Sequence, residues 1–301
     1  MLSSILRNIL NKETVLIIGA AGNNGVATIE SLVNKNISKY RVRAAVRSQE
    51  KAQNLQNRFP EIETVIIDLD KPETLTAAYK NVTKVFMIPG NVENRQQHSE
   101  NAVDAAVAAG TVKQFVYYSV VGAEYEAILF GKQFRAGEKY LEASGLNWTH
   151  LRTIFFQDNF HGWAEGIKQG GLYFGIREGQ FAPLNVADIG EMAANLLTTD
   201  GHQHKAYNVT GPELLSGQDM ADVFTDVTGK TVSYVSPSTE DTLDSLLNTG
   251  WPEWQAKGML ELFEVFATNQ AAMVSPDGEL LMGRPMTKMK DYIAANKTAF
   301  I

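Results

Sequence analysis

Apolar residues near the amino terminus fall at Leu2, Ile5, Leu6, Ile9 and Leu10, one stripe of a helix over residues 2–12. Arg7 and Lys12 are its only charges. Such a leader could pack on the body, pack on a second subunit, or serve as a short transit peptide without an obvious cleavage site. From residue 14 the pattern changes. Short Val/Ile-rich runs over 14–18, 41–46, 64–67, 85–88, 114–119 and 148–151 read as strands. Between them, helix-spaced segments occupy 25–34, 49–58, 73–79, 99–109 and 134–144. Strands apolar on both faces, alternating with helices, predict an α/β fold: a Rossmann-type doubly wound parallel sheet with right-handed crossovers.

Past residue 155 the alternation loosens. Glycines and aromatics crowd 162–175, a helix is expected over 186–198, a strand over 206–209, a helix over 218–228 and a strand over 231–235. Residues 240–300 read as mainly helical. The expected division is a sheet domain over 1–155, with further strand from about 205–211, and a smaller, mostly helical C-terminal α/β lobe over 156–301 that completes the pocket. With 301 residues, 44% of them hydrophobic, the chain can bury a sizeable core. It has no cysteine, which excludes disulfides, thiolate metal sites and cysteine nucleophiles and suits a reducing compartment. No apolar run approaches the ~20 residues of a membrane span. The net charge of −7 is uneven: residues 1–150 carry 17 basic and 15 acidic side chains, residues 151–301 carry 10 and 19. An acidic second half argues against binding a nucleic-acid duplex, whereas the first half could hold a small polyanion.

The first strand runs into Gly19-Ala20-Ala21-Gly22-Asn23-Asn24-Gly25, which opens a helix. Gly19 permits the turn, Gly22 lets a pyrophosphate approach the backbone, and Gly25 lets helix and strand lie close. Free N–H groups at the helix start would hold phosphate, with Asn23 and Asn24 adding side-chain donors. The second strand ends in Arg47-Ser48, with Lys51 four residues past Arg47 and no acid at the strand end. Two cations and a hydroxyl suit a ribose 2′-phosphate, so the expected cofactor is NADP(H). Lys51 could equally be a solvated charge. Asp68-Leu69 follows the third strand, where Asp68 could accept from the adenine amino group or simply cap the next turn.

These residues resemble the NmrA-like family of atypical short-chain dehydrogenase/reductases. The resemblance extends over Val85–Pro89, Glu138, Ser144-Gly145-Leu146, Thr149, Leu151-Arg152, Asp158-Asn159-Phe160, Val186-Ala187-Asp188-Ile189-Gly190 and Gly283-Arg284-Pro285. It implies a Rossmann sheet with a small C-terminal lobe, and places Pro89 and Asn159 beside the cofactor. It also implies either an NADPH-dependent quinone or related reductase, or a regulator that binds NADP without reducing anything.

The Tyr-x-x-x-Lys of short-chain reductases is absent: Lys132 follows Ile128 and Lys139 follows Arg135 by four residues. Ser119 stands where such enzymes place their serine. Arg135 occupies the position where many relatives carry Lys, and it cannot give up a proton near neutral pH. It could hold the nicotinamide ribose or pair with Glu138 one turn on. Ser119 and Arg135 are therefore the only catalytic candidates. The five histidines form no metal-ligand pattern, although His161 could reach the nicotinamide. In the lobe, a helix starting after Pro252 would align Trp254, Met259, Leu262 and Phe266, as core or as a surface for a partner or flat substrate. The sequence therefore leads to the expectation of an NADP(H)-binding regulator, a redox or cofactor-responsive sensor acting through a protein partner in the cytoplasm or nucleus, with a homodimer allowed. The alternative is an NADPH-dependent reductase of quinones or related flat conjugated acceptors.

Overall fold

A computed structural model describes residues 12–35 and 40–301; the leader stripe at Leu2–Leu10 lies outside them. The chain forms two units. The first holds the described residues up to Ser119, then Gln133–Arg152 and Ile189–Tyr207; the second holds Val120–Lys132, Thr153–Asp188 and Asn208–Ile301. Beside the expected division at about 155 with further strand from about 205–211, the chain returns to the first unit over Ile189–Tyr207.

Strands β1 (Glu13–Ile18), β2 (Tyr40–Val46), β3 (Glu63–Ile66), β4 (Val82–Met87), β5 (Gln114–Val120) and β6 (Trp148–Thr153) follow the expected alternation. The short strands β7 (Gly171–Tyr173) and β8 (Gln180–Phe181) come next, then β9 (Lys205–Asn208). The main sheet has the order β3-β2-β1-β4-β5-β6-β9. The β1–β2, β1–β4, β2–β3 and β4–β5 pairs are parallel. Strand order reverses between β1 and β4, so the crevice at their carboxyl ends is the topological switch point where this architecture binds ligands. Val15, Leu16 and Ile17 of β1 are fully buried, as a strand covered on both faces requires.

The helices of this unit are α1 (Asn23–Asn34), α2 (Gln49–Arg58), α3 (Leu75–Ala78), α4 (Arg95–Ala109), most of α5 (Leu129–Ala143) and, after α6 (Ala164–Lys168) of the second unit, most of α7 (Val186–Thr198). The helix expected over 73–79 is instead a 3₁₀ turn, Pro72–Thr74, and the single turn α3. The Thr74 hydroxyl folds back onto the carbonyls of Asp68 and Lys71, which ties this segment to the preceding loop. Helix α7 lies hard against α1: a Cβ on Gly190 would sit 2.4 Å from the Ala27 carbonyl carbon. That contact is the physical content of the Asp188-Ile189-Gly190 motif. Two buried side chains cap the end of α7, with Lys84 Nζ on Leu197 O and Gln114 Nε2 on Leu196 O, both at 2.7 Å.

The second unit pairs β8 with β10 (Leu215–Ser216) and β7 with β11 (Ser233–Val235). Its further helices are α8 (Gly217–Thr228), α9 (Thr239–Asn248), α10 (Glu253–Ala267), α11 (Asp277–Met282) and α12 (Met289–Ala295). Phe155, Phe174, Phe181, Phe263 and Phe266 form its aromatic core, with Phe181 and Phe266 stacked at 4.2 Å. Helix α10 begins after Pro252 as expected, but its buried side chains are Ala256, Phe263 and Phe266; Trp254, Met259 and Leu262 are half-buried. Gly258 faces the Phe130 ring, where a Cβ would approach to 2.9 Å, and this turns the helix away from the expected stripe. Among the described residues no helix is long and apolar enough to cross a membrane.

Candidate functional site

The three glycines of the first loop answer to three different constraints. Gly19 has φ +82°, and a Cβ there would meet Ile88 O at 2.7 Å across the crevice between β1 and β4. At Gly25 a Cβ would sit 2.5 Å from Gly19 O and 2.6 Å from Ala20 Cα, so only glycine lets α1 close on the turn. Gly22 is different. Its backbone is extended (φ −83°, ψ 167°), and the nearest atom to an added Cβ is Gly19 O at 3.5 Å. Among the described residues nothing forbids a side chain at Gly22, so the space in front of it is available to a ligand.

Gly22 is also the N-cap of α1 and offers no side-chain cap. The first intrahelical bond runs from Val26 N to Gly22 O at 2.9 Å, which leaves the N–H groups of the first turn directed outward. Asn23 is exposed, and Asn24 is buried with its Oδ1 unpaired. An open cradle of backbone donors at the positive end of a twelve-residue helix fits a pyrophosphate.

Arg47 follows β2 directly, is exposed, and hydrogen-bonds no side chain among the described residues. Ser48 is the N-cap of α2, its oxygen accepting from Lys51 N at 3.3 Å. That bond uses a lone pair and leaves the hydroxyl proton available to a phosphate. The Lys51 side chain is exposed. Asp68 Oδ1 takes the N–H of Asp70 at 3.1 Å, the turn-capping alternative, and its other oxygen lies 3.5 Å from Lys71 Nζ. Leu69 and Pro89 are buried at the ends of the segments following β3 and β4. Asn159 belongs to the second unit, half-buried in the 3₁₀ segment Gln157–Trp163, while His161 is exposed and stacks on Phe300 at 5.2 Å.

If Arg47 grips a 2′-phosphate, its charge-assisted bonds contribute ~1.5–3 kcal/mol, or roughly 10- to 100-fold in affinity. Calorimetry is expected to show NADPH favoured over NADH, with Arg47→Ala narrowing the gap. Equal affinities in the unmutated protein would refute the assignment.

The two catalytic candidates meet in a buried ion network. Glu138 on α5 is fully buried and accepts Arg152 Nε and Nη2 of β6, each at 2.8 Å. Arg135 Nη1 reaches Glu138 Oε2 at 2.9 Å and also pairs with Glu142, as the helical-turn alternative anticipated. His150 Nε2 lies 3.0 Å from Glu142 Oε1, and the buried Ser119 hydroxyl is close enough to help hold the Glu138 charge. Burial alone would push the Glu138 carboxyl up. The Arg152 hydrogen bonds, His150 and Ser119 outweigh it and hold the group below the usual carboxylate range. The Glu142 bonds raise the Arg135 guanidinium further above its already high value, so it holds its proton. Glu138, Glu142 and His150 bring three ligand atoms within 4.8 Å of one another. Two guanidinium groups already balance the two carboxylates, however, so the chemistry here is that of an ion network rather than a metal site.

Sequence reasoning passed over Glu142 and His150, and quoted Arg152 only within a motif. The signal was present: Glu138 and Glu142 are four apart on a helix, and His150 and Arg152 two apart on a strand, each pair sharing one face. It also passed over His98, which is 1% exposed and places Nε2 2.7 Å from Asp70 Oδ1.

Known proteins bear on this geometry. The model of the NmrA-like family matches residues 11–292. An NAD(P)H azoreductase of Xenophilus azovorans is 31% identical over 288 residues, covering 95% of this chain and 99% of that protein. The solved NADPH-dependent quinone oxidoreductase QOR2 of Escherichia coli, complexed with NADPH, superposes with a TM-score of 0.86 at 27% identity, covering 94% of this chain and 99% of that one. A negative transcriptional regulator, NmrA, has a TM-score of 0.75 at 17% identity over 94% and 95% of the two chains, a likeness of fold alone. The regulator expected from the sequence thus has only distant support, and its alternative, the reductase, has the closer relatives.

Proposed function

The chain belongs to the NmrA-like family, and from that premise we propose that it is an NADPH-dependent reductase of flat conjugated acceptors such as quinones and azo compounds. The observation that carries this reading is the open cradle at Gly22, with exposed Arg47 at the end of the neighbouring strand β2, at the switch point of the sheet. The cofactor is NADP(H), which supplies the hydride when bound. The first turn of α1 receives the pyrophosphate, and Arg47, Ser48 and Lys51 receive the 2′-phosphate. Asp68 and Leu69 border the adenine, and Pro89 lies towards the rest of the dinucleotide. The closer relatives named above reduce acceptors of this type.

The ion network explains why such acceptors suit this chain. Arg135 is locked to two carboxylates and keeps its proton, so it cannot shuttle one. A quinone needs little help of this kind. It takes one hydride at the conjugated system and one proton from water, and leaves as the hydroquinone.

The test is steady-state NADPH oxidation with a panel of quinones and azo dyes. Acceptor-dependent turnover on the order of 1 s⁻¹ or more supports the reading. Tight NADPH binding with turnover at background for every acceptor would return the sensor, acting through a protein partner, to first place.

A further inference from the structure

We propose that Asp70 is a second determinant of cofactor choice: it accepts the ribose 2′-hydroxyl of NADH and thereby limits the preference for NADPH that Arg47 creates. This rests on the reading of the glycine loop as a nicotinamide-dinucleotide site.

The placement follows from the sheet. β2 and β3 run parallel with Val46 paired to Ile66, and Ile67 N donates to Val46 O at 2.9 Å. Arg47 and Ile67 therefore leave the sheet side by side at its carboxyl edge, with Asp68 one residue further on. Asp70 comes two residues later, in a turn closed by Asp70 N on Asp68 Oδ1 and Lys71 N on Asp68 O.

Its carboxylate is fixed unusually well for an exposed side chain. His98 Nε2 and Asn94 Nδ2 both meet the same oxygen, Oδ1, at 2.7 Å. The side chain remains 54% exposed. A surface aspartate that only needed solvation would not require two such bonds, which cost it rotamer freedom. What they achieve is to hold the carboxylate through Oδ1, while none of the described residues donates a hydrogen bond to Oδ2.

Asp70 also keeps its charge. His98 is buried and its Nδ1 has no partner, so a proton on Nδ1 would be a buried unpaired donor. A proton on Nε2 is the one that finds a partner, and Nε2 donates it to Asp70. The hydrogen bonds from His98 and Asn94 hold the Asp70 carboxyl below the usual carboxylate range, and Arg47 adds to this through its charge. Arg47 and Asp70 thus share one electrostatic neighbourhood, with Lys71 engaged on Asp68.

The two residues act in opposite senses on the group at the ribose 2′ position. A phosphate dianion is drawn by Arg47 and repelled by Asp70. A hydroxyl gains little from Arg47, which has no acceptor, and donates to Asp70.

The experiment measures dissociation constants of NADPH and NADH by nicotinamide fluorescence on the full chain and on Asp70→Asn. The amide oxygen can still accept from His98 and Asn94, so the turn is kept while the charge is lost. Asp70→Ser, which removes both oxygens, provides a second variant. NADPH is expected to bind about three- to tenfold tighter to Asp70→Asn, and NADH about tenfold weaker. High salt should erase the NADPH gain and leave the NADH loss. An unchanged NADPH/NADH ratio in both variants, or an equal shift of both cofactors, overturns the proposal while leaving the dinucleotide site intact. Failure of the unmutated chain to bind either cofactor overturns both.

Discussion

Gly22→Val should reduce NADPH affinity by at least tenfold while leaving the protein folded. The extended backbone at Gly22 accepts a branched residue without strain, and its Cβ would stand 3.5 Å from the nearest protein atom. The cost to the fold is the weaker N-cap, about 1 kcal/mol or less. The cost to binding is larger, because the added methyl groups occupy the space through which phosphate oxygens must pass to reach the first turn of α1. Gly25→Ala provides the contrast. Its Cβ collides with the backbone of Gly19 and Ala20, so stability and binding fall together. Urea unfolding beside NADPH titration separates the two, and undiminished binding by Gly22→Val would place the phosphates elsewhere.

Glu138→Ala should cost about 3–5 kcal/mol of stability, because it strips Arg152 of its buried bidentate partner. The pH dependence carries a definite sign. The Glu138 carboxyl is held below 4.5 in the folded state, so its contribution is fully present above pH 4.5 and disappears as the pH falls through the folded value. The gap between the native protein and Glu138→Ala, measured by urea unfolding, should therefore be level from pH 7 down to about 5 and narrow below that. His150 adds a second, shallower loss. Burial holds its ring below 6.5, so the unfolded chain takes up that proton first and stability begins to fall below pH 6.5. A gap that stays level through acid would show that Glu138 is not the charge that neutralises Arg152.

What could be read in the sequence was what is local. The glycine loop lies within seven consecutive residues, and each glycine's task follows from backbone geometry, so Gly19, Gly22 and Gly25 were legible in advance. Local geometry likewise sets the positions of Arg47 after β2 and Ser48 at the N-cap of α2, and the helix start after Pro252. The Asp70–His98 pair was not legible, because its members are separated by 28 positions and joined only when α4 comes to lie beside the β3 loop. The Glu138–Arg152 pair was half legible: both residues stood in the family motif, but nothing in one dimension says that a helix carboxylate and a strand guanidinium will face each other. The α10 stripe went astray for a related reason. Helical period fixes which residues share a face, but contact at Gly258 chose which face turned inward.

The late return of the chain to its first sheet has a consequence during synthesis. When β6 has left the ribosome, roughly 50 further residues must be made before β9 arrives, a matter of several seconds at ~5–20 residues per second. Through that interval the nascent sheet has an open edge at β6 and lacks the carbonyls of Leu196 and Leu197 that Gln114 and Lys84 are built to meet. A translation product halted near residue 155 would be held in that state for good, with the Lys84 ammonium left to Glu13 at 3.7 Å and the Gln114 amide without the carbonyl of Leu196. Such truncated chains are natural clients for chaperones and proteases, and a stand-alone nucleotide-binding module cut from this protein must carry residues 189–207 to escape their fate.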